Sequence, residues 1–289
     1  MAKPFQIIEF DERDELPLRF RMTMQPIRDN PKNINLNGFA ELNISGSGQF
    51  TEGGLAEMRK RFGKVHCIII DLRQESHGFF NGKAVSWFGI HNEANQGLTG
   101  EQVEQDQKEK LNFLANATSV RFDQLEGKSV DWDGELNPIK VSSEKELVTS
   151  QGFQYVRFYV TDHHRPDDDV VDLFIAFVNA LTENPLLHFH CRLGIGRTTT
   201  FMLMFDMMRN AKDVSFDDIL GRHILIGGRN MYEMDPVNEP YKYNSAVNRL
   251  DFIRQFYAYC AENQDRFKTV WSEWIEQLEA TPFTKMELQ

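Results

Sequence analysis

A chain of 289 residues is long enough for one large domain or two unequal ones, and 41% hydrophobic residues suffice for a proper core. A formal charge of −11 excludes long-range attraction to nucleic acid or anionic membranes, and no apolar run reaches the roughly 18 to 20 residues that span a bilayer. Three cysteines, Cys67, Cys191 and Cys260, are too few for a disulfide framework. Along the chain, residues 1–11 carry one lysine and no apolar centre, so they are not a secretory signal as written. A cytoplasmic protein, an exported or translocated effector and a trimmed secreted enzyme all stay open as locations. Residues 65–72 form an apolar run that reads as a buried strand, with Cys67 as a small hydrophobe inside it. Thr99 with Gln102 resembles a capping box and opens a helix to about Ala117. Residues 119–150 are polar and broken by Asp133-Gly134 and Asn137-Pro138, which predicts short antiparallel strands. With residues 15–50 they are expected to form a small β subdomain, leaving 51–118 and 151–280 as the core.

A second buried strand is predicted at 153–160 and a third at 186–190. Between them, Asp167, Asp168 and Asp169 precede an amphipathic helix and put acids at its positive end. Ser215 with Asp218 caps a further short helix, and two more are predicted at 245–261, with Cys260 packed inside, and at 265–278. Strands alternating with helices predict α/β architecture with a largely parallel sheet.

The third strand runs into Cys191-Arg192-Leu193-Gly194-Ile195-Gly196-Arg197-Thr198, and an apolar helix follows. Arg192, Leu193, Gly194, Ile195 and Gly196 can turn their backbone N–H groups inward as an anion nest, and the two glycines permit the backbone angles. The next helix points its positive end at the same spot, and Arg197 supplies a planar fork for two phosphate oxygens. A free thiol titrates near 8.5, but such a setting lowers that to about 3.5 to 7.5, so Cys191 is expected to be a nucleophilic thiolate. Thr198 is placed to hydrogen-bond the sulfur, and His190 to order the strand end. A bare Cys-x5-Arg is a weak signal; strand before, glycines within and helix after make it specific.

Expelling an alkoxide from phosphorus also needs a proton donor. Asp162 ends the second strand at Thr161-Asp162-His163-His164-Arg165-Pro166 and is the candidate general acid, later the base that activates water. The competing reading, a helix cap, is already served by Asp167 to Asp169.

At these residues the chain resembles the cysteine phytases, protein-tyrosine-phosphatase-like inositol polyphosphatases found mainly in bacteria. The resemblance covers residues 16–274. Its strongest pieces are 187–199, Thr161-Asp162-His163 with Pro166, and Asp71-Leu72-Arg73-Gln74-Glu75-Ser76-His77-Gly78-Phe79 continuing to Val85-Ser86-Trp87-Phe88-Gly89. For Asp71, Arg73, Glu75 and His77 the general reading is a strand-end hydrogen-bond network. The resemblance implies a phosphatase-type α/β core with a parallel-rich central sheet flanked by helices, a small β subdomain, no metal and no cofactor. It also implies stepwise hydrolysis of phytate through a cysteinyl-phosphate. Substrate contacts carry over to Arg21, Lys128, Lys242, Arg249 and His163. Each alone is compatible with an ordinary solvated side chain, and their recurrence favours binding.

Two departures bear on regiospecificity. Asn92, followed by Glu93, stands where a familiar member has aspartate and tryptophan, and Arg192 stands in place of a glutamate. A cation at 192 is expected to strengthen the pull on multiple phosphates. The alternatives are a phosphotyrosine or phosphoinositide phosphatase on the same scaffold, and a catalytically dead phosphate-binding module. Against the first, no aromatic phosphotyrosine-recognition segment is evident; against the second, Cys191, Arg197 and Asp162 are all present.

Overall fold

The structure, a computed structural model, describes residues 3–280. In chain order its strands are β1 (Phe5–Phe10), β2 (Arg21–Met22), β3 (Ile44–Ser47), β4 (Cys67–Arg73), β5 (His77–Phe80), β6 (Lys83–Phe88), β7 (Val141–Ser142), β8 (Gln154–Val160) and β9 (Leu186–His190). The helices are α1 (Glu52–Phe62), α2 (Gly100–Asn116), α3 (Glu144–Ser150), α4 (Asp168–Ala180), α5 (Gly196–Asn210), α6 (Phe216–Leu225), α7 (Pro240–Glu262) and α8 (Trp271–Ala280). A five-stranded sheet has the order β2-β3-β9-β4-β8, parallel except for β2. A four-stranded antiparallel sheet, β1-β6-β5-β7, stands beside it.

The three predicted strands form within two residues of their expected limits because both faces of the larger sheet are covered. Ile68, Ile70 and Leu72 of β4 enter one core with Phe158, Phe174, Phe189 and Phe201. Cys67 and Ile69 enter another with Leu55, Met58, Leu147 and Leu186. An alternating strand buried on both sides reads as an unbroken apolar run. Cys67 and Cys260 are both buried, and burial pushes the Cys67 thiol up to about 12 and that of Cys260 well above its usual value. They are packing residues. Helix α5 is buried along residues 197–207, so it forms the pillar of the larger core.

The capping box at Thr99 and Gln102 is present, as is the Ser215 cap of α6. Elsewhere the structure corrects the expectation. Residues 119–150 contribute only β7 and one bridge, Val120 to Leu136, before α3 begins. That helix carries its own capping box, Ser143 with Glu146, a signal hidden by the polar sequence around it. Residues 15–50 supply β2 and β3 to the larger sheet, while β5 and β6, expected in the core, build the smaller sheet with β1. Helix α7 starts earlier than predicted, at Pro240, where a missing N–H costs nothing. Helix α8 starts later, at Trp271, because the Asp265 carboxylate instead accepts from the Lys268 and Thr269 amides. Among the described residues no helix is long and apolar enough to cross a membrane.

One feature of the topology positions the site. Ser47 of β3 and Asp71 of β4 both pair opposite His190 of β9, so three parallel strands end together. Cys191 therefore emerges at the carboxyl edge of a parallel sheet, where α/β folds form their ligand crevices.

Candidate active site

The loop from Cys191 to Arg197 is held from outside. Gly194 has φ +72°, and a Cβ there would lie 2.4 Å from the Gly48 nitrogen, so only glycine fits. The Gln49 amide donates to the Arg192 carbonyl at 3.0 Å, and Arg21 donates to the Gly194 carbonyl at 2.9 Å. Carbonyls are thus drawn outward. The backbone N–H groups of residues 192–197 find no acceptor among the described residues, which leaves them for an anion. Cys191 is 4% exposed, and the Thr198 hydroxyl donates to its sulfur at 3.2 Å.

Arg197 is 1% exposed and fixed by a two-pronged pair with Glu75, at 2.7 and 2.9 Å. It also donates to the Val160 carbonyl at 3.0 Å and lies 3.2 Å from Asp162 Oδ1, while its Nε is buried without a partner. Burial works against its charge, but Asp162 and Glu75 outweigh it and hold it protonated. Glu75 in turn accepts from Arg73 Nε at 2.8 Å and Asn92 Nδ2 at 3.0 Å. Against the cost of burial, Arg197 and Arg73 keep its carboxyl well below the usual range.

This explains the segment that begins at Asp71: it is a buried frame for Arg197. Arg73 binds Glu9 and Gln49 as well as Glu75. Asp71 accepts from Tyr155 at 2.8 Å and pairs with Arg157 at 3.0 Å. His77 lies 3.3 Å from Asp71 and from Glu144, whose other oxygen meets His190 at 2.6 Å. Burial opposes a charge on His77, but Asp71 and Glu144 raise its pKa to about 9. Asp71, Glu144 and His190 bring potential metal ligands within 4.8 Å of one another. Protein partners already engage them: Arg157 and Tyr155 on Asp71, Gln49 on Glu144. His190, at the end of β9, is therefore tied to Glu144, the first residue of α3, a glutamate that no local pattern marks.

Asp162 lies over Arg197. Its Oδ1 accepts from the His163 amide and its Oδ2 from Asn92, each at 2.9 Å. Burial opposes ionisation, but Arg197, His163 and the Asn92 hydrogen bond outweigh it and Glu75, so Asp162 stays below its usual value. His163 has φ +68° and sets its ring edge-on to Tyr241 at 5.9 Å. Burial, with Lys242, Arg197 and Arg249 nearby, lowers its pKa to about 4, so the imidazole is neutral at pH 7.

The carried-over cations divide into three kinds. Arg21, 2% exposed, braces the loop, donates to Thr199 at 3.1 Å and keeps a buried Nε without a partner. Arg249 is also buried, donates to the His163 and His164 carbonyls, and packs against Gly196. Burial lowers both to about 10, while Cys191 acts electrostatically to keep each protonated. Lys242 is half-buried at the rim beside Glu239 and over the Tyr241 ring. Lys128 is half-buried in the loop before β7, and its carbonyl accepts from Arg192 at 2.5 Å.

Arg192 departs from expectation. Its guanidinium pairs with Glu9 at 2.8 Å and stacks over Phe88, so its charge is offset within the protein. Glu9 lies on β1, which sequence reasoning left outside every unit, and no local pattern marks it. Arg229 was also missed: it acts electrostatically on Arg249, and its amide donates to Thr199. Several cations therefore gather at one mouth against a net charge of −11. A cleft of about 1150 Å³ elsewhere, edged by Glu101, Glu104, Glu146, Asp167 and Asp169, contains none of these residues and would repel a phosphate ester.

The family model for PTP-like phytase, described as inositol hexakisphosphate, matches residues 70–209. A PTP-like phytase from Bdellovibrio bacteriovorus is 31% identical with a TM-score of 0.73, covering 96% of this chain and 98% of that one. A PTP-like myo-inositol phosphatase from Mitsuokella multacida, solved with myo-inositol-(1,3,4,5)-tetrakisphosphate, is 36% identical with a TM-score of 0.88, covering 98% of this chain and 49% of that one. Effector protein hopD2 of Pseudomonas syringae pv. tomato is 29% identical over 264 residues, 89% of this chain and 56% of that protein. The chain thus spans about half the length of the last two relatives.

Proposed function

The chain belongs to the PTP-like phytase family, and on that premise we propose that it removes phosphates stepwise from myo-inositol polyphosphates through a cysteinyl-phosphate on Cys191. What carries this reading is that the loop amides after Cys191 have no acceptor among the described residues, while buried Arg197, Arg21 and Arg249 each interact electrostatically with that cysteine. A phosphoryl group seated in the nest gives its non-bridging oxygens to the amides and to the unpartnered Arg197 Nε. The Cys191 sulfur attacks phosphorus, the S–P bond forms, the ester P–O bond breaks, and Asp162 protonates the leaving oxygen. Water then attacks the cysteinyl-phosphate, its proton passes to Asp162, and the sulfur departs, stabilised by Thr198.

Asp162 is ionised in the substrate-free site because Arg197 pairs with it. An arriving phosphate dianion neutralises that pull and adds negative charge, both of which favour a protonated Asp162. The reaction is therefore expected to run best at mildly acidic pH. Lys242, which acts electrostatically on His163 beside the general acid, suits a ring that carries several phosphates, and an anionic small molecule is the expected partner. The test compares phosphate release from phytate and from a phosphotyrosyl peptide, with Cys191→Ser as the blank. Turnover of phytate that vanishes in the variant supports the reading. Turnover of the peptide alone would transfer the site to phosphotyrosine substrates.

A further inference from the structure

Asn92 closes the short turn Ile90–Asn92 that leads away from β6. His91 and Asn92 have φ of +54° and +66°, a left-handed pair that asparagine tolerates better than most residues. The turn drives the Asn92 side chain inward until it is 2% exposed. There its amide nitrogen donates to two carboxylates at once, Glu75 Oε1 at 3.0 Å and Asp162 Oδ2 at 2.9 Å. The orientation is not interchangeable: a flipped amide would set its oxygen against both anions. Its Oδ1 is buried and unpartnered, so the group is kept here for what its nitrogen does.

We infer that Asn92 is a positioning residue that locks the general acid to the Glu75–Arg197 clasp and sets the pH at which Asp162 can deliver its proton. The inference rests on the reading of Asp162 as general acid. Asp162 is faced by Arg197 from α5, Glu75 after β4, His163 from its own loop, and Arg249 from α7. These side chains are titratable or charged; the fixed neutral donors are the His163 backbone amide on Oδ1 and the Asn92 side chain on Oδ2, and of the two only Asn92 can be changed by substitution of its side chain. An N–H donor on Oδ2 favours the ionised form without adding charge. A carboxylate in the same place would be a third anion within about 3 Å of two others, and such groups cannot all ionise together.

The sign follows. A general acid must hold its proton, so the rate falls as pH rises through the Asp162 titration. Asn92→Asp keeps the shape and the left-handed tolerance, and should move the descending limb of the kcat profile on phytate up by about one pH unit or more. Asn92→Gly, which accepts the backbone and removes both hydrogen bonds without adding charge, should move it the same way by less. With an aryl phosphate, whose leaving group departs without a proton, that limb should be shallow. A lower kcat at every pH with the limb unmoved in both variants would overturn the inference. Should phytate not be hydrolysed at all, the functional reading fails by itself. The carbon-13 titration of the Asp162 carboxyl, in the wild type and both variants, still decides the role of Asn92: an upward shift supports it and an unchanged midpoint refutes it.

Discussion

Replacing Glu75 by glutamine tests whether the buried frame organises Arg197. Glu75 and Arg197 side chains are each 1% exposed and joined by two short hydrogen bonds. Glutamine keeps the shape and one acceptor but leaves two guanidinium groups, Arg197 and Arg73, short of a counter-charge. Arg73 retains Glu9, and Arg197 retains Asp162 at 3.2 Å, so the loss falls mainly on the Arg197 clasp. Breaking a buried pair by removing one partner costs about 3 to 5 kcal/mol. We take the lower end, about 3 kcal/mol, because of those remaining partners. At about 2 to 4 °C per kcal/mol for a domain of this size, the melting temperature should fall by roughly 6 to 12 °C at pH 7. The pH dependence is diagnostic. Glu75 has a depressed folded pKa, so its contribution is complete above its usual value of 4.5 and is lost as pH falls toward the folded one. Calorimetry should therefore give a constant gap between wild type and variant from pH 8 to about 5, narrowing below. The loosened Arg197 should also weaken inhibition by inorganic phosphate about tenfold or more. Equal melting temperatures at pH 7 with unchanged phosphate inhibition would refute the clasp.

Asp162→Asn should slow phytate turnover by about 10² to 10⁴ and aryl phosphate turnover far less, as steady-state rates on the two substrates will show. Thr198→Ala removes the hydroxyl that faces the Cys191 sulfur and should slow breakdown of the cysteinyl-phosphate about 10- to 100-fold, visible as a burst in rapid quench. Arg192→Ala removes one of the two guanidinium groups that hold buried Glu9, leaving Arg73, and should lower the melting temperature with little change in the KM for phytate. Lys242→Ala should do the reverse, raising KM with little loss of stability.

The departure at Arg192 shows how far a local pattern reaches. Its position in the loop was legible, and so was its charge. That Glu9, 183 residues away in sequence, would absorb the charge was not. Likewise Ser143 and Glu146 carried a legible helix signal, but surrounding turn residues masked it. Polar segments offer both turns and caps, and only packing of Leu147 and Val148 into the core selects the helix.

What the amino-acid order determined by itself was contiguous: a strand, a glycine-bearing turn from Cys191 to Arg197, and the helix that aims its positive end at that turn. Short-range geometry requires no distant partner, so it can be read from neighbours. Tertiary structure decided which carboxylate meets which guanidinium: Glu75 with Arg197, Glu9 with Arg73 and Arg192, and Asn92 between two acids. A charged side chain has dozens of opposite charges available along a chain of this length. Burial selects among them, because an ion removed from water is tolerated only where the fold brings its partner within hydrogen-bond distance.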